Sequence, residues 1–139
     1  STSLIPIMQE KKFGRIINII SISVKAPIDN LGVSNTVRWA MASWAKTLSN
    51  EVAEYGVTVN NILPGFTDTE RLQSLMKNRA INLNKTIKEI KSNTILNIPA
   101  KRFGKPEEIA DATSFLCSKS ASYINGINLP IDGGFSKSL

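Results

Sequence analysis

Residues 57–63 read VTVNNIL, a run dominated by apolar and β-branched side chains that is bounded by glycine and proline. Such a run predicts a buried β-strand. Two others resemble it, RIINIIS at 15–21 and INLPI at 127–131. Pro130 removes a backbone donor from the last run, so we expect that strand at a sheet edge or where its pairing ends.

The first two predicted strands are separated by a helical pattern from Ser34 to Glu54. Bulky apolar residues return along it every three or four positions: Val37, Met41, Trp44, Leu48 and Val52. Trp39 lies about 140° around the helix from Trp44, at about 100° per residue. Two bulky faces predict burial on two sides, one against the sheet and the other against a further partner such as another subunit.

A second helix is predicted from Pro106, which suits a first helical turn. Its expected buried stripe is Ile109, Ala112, Phe115 and Leu116. Strands alternating with helices predict an α/β fold with a parallel sheet, in a single domain over residues 1–139. Segment 70–98 is rich in Asn, Lys and Ile and carries only a weak helical stripe, so it resembles a lid inserted into that domain.

The composition narrows the possible classes of protein. The chain of 139 residues is 42% hydrophobic and 20% charged, which is ordinary for a globular domain. No apolar run approaches the ~18 residues that a membrane-spanning helix needs, and the first residues lack a signal-peptide pattern. We therefore predict no membrane association and a cytoplasmic location. A single cysteine excludes an internal disulfide, and the absence of histidine disfavours zinc and copper sites, so no metal is predicted.

The net charge of +6 is concentrated in one segment. Residues 70–105 hold nine basic and two acidic side chains, a local net charge of +7. No aromatic residue precedes Phe103 there to stack on bases, so nucleic-acid binding is not predicted. Two interpretations stay open: a solvated lysine-rich face, and attraction of an acidic or phosphorylated substrate.

Five segments together resemble one protein family. They are GRIINIIS (14–21), SNTVR (34–38), VTVNNILPGFTDT (57–69), RFGKPEEIADATSFLCS (102–118) and YINGINLPIDGG (123–134). In this order and spacing they resemble the short-chain dehydrogenases/reductases, and among them the 3-oxoacyl-acyl-carrier-protein reductases. The resemblance covers nearly the whole chain.

The resemblance implies the C-terminal half of a doubly wound, Rossmann-like parallel sheet. The family's glycine-rich phosphate loop and the residue that selects between NAD and NADP belong to the other half and are not found here. The opening residues resemble the tail of the family's fourth helix, so we expect the chain to be part of a longer protein. An intact protein is expected to bind NAD or NADP and to form a homodimer or homotetramer through the Ser34–Glu54 helix.

The catalytic positions depart from the family pattern. Ser21 matches the family's catalytic serine, and thirteen residues later Ser34 replaces the tyrosine of the Tyr-x-x-x-Lys motif, with Arg38 in place of its lysine. A serine hydroxyl is a much poorer acid than a phenol, and an arginine stays protonated. Ser23 competes with Ser21, but its spacing to Ser34 does not fit. The resemblance further implies that Arg38 and the loop residues Pro64, Gly65, Thr67 and Thr69 contact the cofactor.

Each candidate has a structural alternative. Ser21 could simply end its strand, Ser34 could cap the long helix, and Arg38 could form a surface ion pair. The leading hypothesis is an oxidoreductase that moves hydride between a nicotinamide cofactor and a small carbonyl, alcohol or acyl thioester, with an atypical catalytic pair. Because this chain lacks both the cofactor-binding half and the Tyr/Lys pair, we expect it to be inactive by itself. The alternative is a noncatalytic binding or subunit-interaction protein that retains the fold.

Overall fold

Three parallel strands form the sheet in a computed structural model that describes residues 3–138. They are β1 (Gly14–Ile19), β2 (Val57–Pro64) and β3 (Asn128–Ile131), in the spatial order β1-β2-β3. In β1 and β2, Gly14 pairs with Val57 and Ile19 with Ile62. The predicted α/β class with a parallel sheet is confirmed, and the proline-containing strand lies at an edge of the sheet as expected.

Within residues 3–138, five α-helices accompany the sheet. They are α1 (Ile5–Glu10), α2 (Gly32–Val52), α3 (Glu70–Asn82), α4 (Ile87–Leu96) and α5 (Pro106–Cys117). Short 3-10 turns follow β1, α2 and α5, at Ile22–Val24, Ala53–Tyr55 and Lys119–Ala121. The long predicted helix therefore begins two residues earlier than Ser34 and ends in a 3-10 turn before Gly56.

Helices cover both faces of the sheet. On one face, Ala45, Leu48 and Val52 of α2 pack against Val57 and Val59 of β2. On the other face, Leu116 of α5 is fully buried with Ile62 of β2 and Ala121. Successive residues of a strand point to opposite faces, so one uninterrupted apolar strand supplies both cores.

The predicted apolar stripe of α2 is only partly buried. Trp39 and Trp44 are 48% and 40% exposed, and Val37 and Met41 are also exposed. The face toward the sheet instead carries small residues beside Leu48 and Val52, namely Ala42, Ala45 and Ser49. Small side chains let the helix backbone approach the strands closely, which bulky tryptophans do not allow. The prediction that a bulky face of α2 covers the sheet is therefore wrong, whereas the predicted burial of the other face against a further partner stays a prediction.

A similar correction applies to α5. Leu116 is buried, and Ile109 and Ala112 are half-buried, but Phe115 is 48% exposed because it lies outside the arc that meets the sheet. The segment 70–98, whose sequence showed only a weak helical pattern, forms two consecutive helices, α3 and α4. They share a separate small core with the next loop, made of Leu72, Met76, Ala80, Ile90, Ile98 and Phe103.

One asparagine side chain extends the sheet beyond its last strand. The Oδ1 atom of Asn125 accepts a hydrogen bond of 2.9 Å from the backbone N–H of Val59, in the middle of β2. Its Nδ2 atom donates to the Ser49 carbonyl of α2 at 2.8 Å. This side chain thus replaces a backbone carbonyl that β3 does not provide and ties the sheet to the helix covering it.

Candidate active site

The candidate site lies where the two longest strands end. Parallel strands bring their carboxyl ends to the same edge of a sheet, where α/β proteins commonly bind ligands. A cavity of about 550 Å³, called the reaction cavity here, opens at the ends of β1 and β2. Its lining includes every residue singled out from the sequence: Ser21, Ser34, Arg38, Pro64, Gly65, Thr67 and Thr69. Three separate stretches of sequence are thus brought together around one space.

Ser21 lies just after β1 and begins the 3-10 turn. Its Oγ accepts a hydrogen bond of 3.1 Å from the backbone N–H of Ser23, which fixes the hydroxyl at the strand end. A serine hydroxyl has one donor and two acceptor positions. The described contact uses one acceptor, so the O–H of Ser21 remains available to a ligand in the cavity.

Ser34 and Arg38 form a bonded pair on α2. They are four residues apart and therefore face the same side of the helix. The Nε of Arg38 donates to the Ser34 Oγ at 3.1 Å, and its Nη1 donates to the carbonyl of Ile20, next to Ser21. Both side chains are half-buried.

This geometry removes two structural alternatives. The residue at the N-cap of α2 is Leu31, so Ser34 lies inside the helix and does not cap it. Among residues 3–138, Arg38 forms no ion pair, since the salt bridge there joins Arg102 and Glu108. The alternative of a surface ion pair for Arg38 is therefore also wrong.

The loop after β2 forms the opposite wall. Thr67 forms an isolated bridge with Gly104, and the N–H of Asp68 donates to the Gly104 carbonyl at 2.8 Å. Thr69 is the N-cap of α3, where its hydroxyl accepts from the N–H of Leu72. These hydrogen bonds fix the loop to Gly104 and to the first turn of α3, and the N-terminus of α3 lies beside the cavity.

An ion pair fixes the segment that completes this wall. Arg102 contacts both carboxylate oxygens of Glu108 at 2.6 Å, and one of those oxygens also accepts from the N–H of Lys105. The hydrogen bonds from Arg102, with smaller contributions from Lys105, lower the pKa of Glu108 to about 2. The pair holds the turn that leads into Pro106 and Ile109, both of which line the cavity.

Two polar lining residues were not chosen from the sequence. Ser23 was set aside because of its spacing to Ser34, yet it lines the cavity, and its buried Oγ has no hydrogen-bond partner among the described residues. Its position two residues after Ser21 was the one feature of the sequence that pointed to a place in the same site. Arg71, in the first turn of α3, also lines the cavity, and the sequence offers no signal that separates it from the other basic residues nearby.

Residues 3–138 contain neither a metal-binding cluster nor a membrane-spanning helix. No group of three or more His, Cys, Asp or Glu side chains is placed to hold a metal ion. None of the helices is both long enough and apolar enough to span a bilayer.

Comparison with known proteins places these observations in one family. The family model described as Enoyl-(Acyl carrier protein) reductase matches residues 1–136. The chain belongs to the short-chain dehydrogenase/reductase family. Its doubly wound sheet is therefore that family's Rossmann-like fold.

Similar members of the family include named reductases. The NADPH-dependent reductase BacG of Bacillus subtilis (strain 168) is 36% identical over 137 residues, which are 96% of this chain and 51% of BacG. The 3-oxoacyl-[acyl-carrier-protein] reductase MabA of Mycobacterium avium is 38% identical over 127 residues, which are 91% of this chain and 46% of MabA. The chain thus spans about half the length of the curated relatives it matches.

Solved structures in the family share the architecture. The crystal structure of YwfH, an NADPH-dependent reductase involved in bacilysin biosynthesis, superposes with a TM-score of 0.90 at 34% identity over 96% of this chain and 51% of YwfH. Levodione reductase gives a TM-score of 0.90 at 28% identity over 99% of this chain and 52% of its own. The fold is therefore that of a short-chain reductase.

Proposed function

We propose that the protein is an oxidoreductase that transfers hydride between a nicotinamide cofactor, NAD or NADP, and a carbonyl or alcohol substrate. The observation that carries this proposal is that Ser21, Ser34, Arg38 and the 64–69 loop line one cavity at the carboxyl ends of the strands. The named relatives support it, because BacG and YwfH are described as NADPH-dependent reductases.

The side chains of the reaction cavity fit the nicotinamide end of such a cofactor. Thr67 and Thr69 supply hydroxyls, and α3 supplies a helix N-terminus, a combination that suits amide and phosphate oxygens. Arg38 adds a fixed positive charge on the facing wall. When bound, the reduced nicotinamide would supply the hydride. Thr67, Thr69 and Arg38 would hold and orient the nicotinamide.

Ser21 and Ser34 are proposed to bind the substrate oxygen. Each hydroxyl accepts a hydrogen bond from the protein, from Ser23 N–H and from Arg38 Nε respectively, and keeps its own O–H free to donate. Two such donors stabilise the negative charge that develops on a carbonyl oxygen as hydride reaches its carbon. The proton that completes the alcohol then comes from Ser34, which regains one from solvent.

Arg38 is proposed as a positioning residue. Its Nε–H donates to the Ser34 oxygen, which favours loss of the serine proton, and its bond to the Ile20 carbonyl fixes the guanidinium between the two serines. Because arginine stays protonated, it cannot itself relay that proton.

The test is a nicotinamide-absorbance assay of the full-length protein with a panel of ketones and 3-oxoacyl thioesters. We expect Ser34→Ala to lower kcat, and the double exchange Ser34→Tyr with Arg38→Lys to raise it by about 10²- to 10⁴-fold, the usual contribution of general acid catalysis. Each single exchange should recover less. Ser43→Ala, an exposed change on the same helix, is the matched control and should leave kcat unchanged.

Three outcomes would contradict this assignment. Wild-type activity that survives Ser34→Ala would show a different proton donor. Arg38→Lys with an unchanged pH profile of kcat would remove the positioning role of Arg38. A folded, cofactor-binding double variant that reduces no substrate would favour the alternative, a noncatalytic binding or subunit-interaction protein.

We also propose that the intact protein is a homodimer or homotetramer through α2. The exposed apolar side chains of this helix, Val33, Val37, Met41 and Trp44, support the proposal, since solvent otherwise surrounds them. Sedimentation of the full-length protein should give a dimer or tetramer that Val37→Glu with Trp44→Glu dissociates. A wild-type monomer would contradict the proposal.

A further inference from the structure

A second cavity adjoins the reaction cavity. It has a volume of about 830 Å³ and lies between the loop that follows β1, the helices α3 and α4, and residues 135–137. We call it the lid cavity. Ile22, Ile28 and Phe66 line both cavities, so the two cavities are direct neighbours.

The walls of the lid cavity are largely apolar. Ile22, Phe66, Leu83, Ile90 and Phe135 contribute side chains to them. Phe66 and Phe135 meet edge to face with their ring centroids 5.1 Å apart, which makes a firm wall on the side of the reaction cavity. A chain of methylene groups or a ring would therefore find apolar contacts along this cavity.

The charged lining residues are mostly cationic. Arg79, Lys85 and Lys137 line the lid cavity against one carboxylate, Asp29. Glu89 lies near Lys85, but its carboxylate is bonded to Thr86. Within the described part of the chain, neither Arg79 nor Lys137 forms an ion pair. Three cations thus line one largely apolar space against a single lining carboxylate, which leaves the lining with a net positive charge.

We propose that the lid cavity binds a small molecule with an apolar body and a terminal anionic group, a carboxylate or a phosphate. Arg79 presents a planar fork of donors that suits either oxyanion, and Lys85 and Lys137 add point charges beside it. This inference rests on the proposed function: the anionic end of the substrate lies in the lid cavity, and its carbonyl lies at Ser21 and Ser34. It assigns a binding role to part of the basic segment 70–105.

The experiment measures binding to the full-length protein by calorimetry, without cofactor or turnover. The probes are octanoate, octyl phosphate and octanamide, which share an apolar chain and differ in the charge of the end group. We expect at least one anionic probe to bind about 10-fold or more tightly than octanamide, as for a charge-assisted hydrogen bond partly screened by solvent. Whichever anion binds more tightly identifies carboxylate or phosphate as the preferred group.

Substitutions then localise the effect. Arg79→Gln and Lys137→Gln should each weaken binding of the preferred anion by about 10-fold and leave octanamide unchanged. Lys77→Gln, an exposed change on α3 outside the cavity lining, is the matched control and should alter neither. Circular dichroism verifies that each variant is folded.

The results separate this inference from the proposed function. Equal affinities for octanoate, octyl phosphate and octanamide, or an equal loss in Lys77→Gln and Arg79→Gln, would overturn the anion site. Reductase activity on neutral ketones with no preference for anionic ones would overturn it while leaving the oxidoreductase intact. Selective anion binding that depends on Arg79, in a protein without reductase activity, would support the site and contradict the oxidoreductase.

Discussion

Replacing the half-buried Asn125 by alanine should destabilise the fold substantially. The change removes two hydrogen-bonding groups: the acceptor for the backbone N–H of Val59 and the donor to the Ser49 carbonyl. Val59 is fully buried in β2, so its N–H cannot bond to water instead. An orphaned buried donor costs about 1–3 kcal/mol, and a lost ordinary hydrogen bond costs about 1 kcal/mol. We therefore expect Asn125→Ala to lower the free energy of unfolding by about 2–4 kcal/mol.

The assay is urea denaturation of the full-length protein, followed by circular dichroism at a fixed protein concentration. Asn78→Ala, an exposed change on α3 whose side chain makes no described hydrogen bond, serves as the control and should stay within about 0.5 kcal/mol of wild type. If Asn125→Ala also stays within that range, Val59 N–H is satisfied in another way, and the assigned role of Asn125 is refuted.

A second variant separates the two halves of the interaction. Asn125→Asp keeps an acceptor for Val59 N–H, but a carboxylate cannot donate to the Ser49 carbonyl. Protonation restores a donor, so the introduced aspartate is bonded most favourably in its neutral form. Its deficit relative to wild type should shrink as the pH falls toward about 4. A deficit that is independent of pH would show that the bond to Ser49 contributes nothing.

Three further predictions concern packing, charge and backbone conformation. Leu116→Ala opens a cavity at a fully buried position and should cost about 2–5 kcal/mol in urea denaturation; a loss below about 1 kcal/mol would contradict the core assigned to α5. Because the pKa of Glu108 is lowered from 4.5 to about 2, its stabilising contribution is present above pH 4.5 and lost as the pH falls toward 2. Thermal midpoints should therefore fall more steeply over that window in wild type than in Glu108→Gln, and parallel slopes would disprove the effect. Gly56→Ala should cost more than about 1 kcal/mol in the same urea assay, since Gly56 has a φ of 71° and an added Cβ would lie 2.4 Å from the Lys12 carbonyl oxygen; wild-type stability would exclude this strain.

The strands could be predicted from the sequence because a buried parallel strand leaves a continuous apolar run. VTVNNIL and RIINIIS are such runs, and they form the two paired strands β2 and β1. The buried face of α2 was missed for a physical reason. The sequence prediction rested on the bulky side chains of α2, among them Trp39 and Trp44. Close packing on a sheet instead favours small residues, and the buried ones here include Ala45 and Ser49.

The candidate site could be located from the sequence but not described in detail. Spacing from Ser21 to Ser34 pointed to residues that line one cavity, because the strand and helix lengths of the family fix where they meet. The partners of Arg38 could not be found in this way. Its bond to the Ile20 carbonyl joins residues 18 positions apart, and only the packing of α2 on β2 and on the 3-10 turn after β1 brings them together.

The contacts of Arg38 explain why Ser34 and Arg38 are best understood as a unit. A guanidinium donates in two directions at once, and here one direction reaches the Ser34 hydroxyl while the other reaches the end of β1. Lysine has a single terminal nitrogen and would not keep both bonds in the same geometry. Conversely, a tyrosine ring at position 34 would project past the place where Arg38 Nε now finds its acceptor. Each residue therefore suits the other, and this mutual fit is the structural reason to expect that the two exchanges are non-additive and that activity rises fully only when both are made.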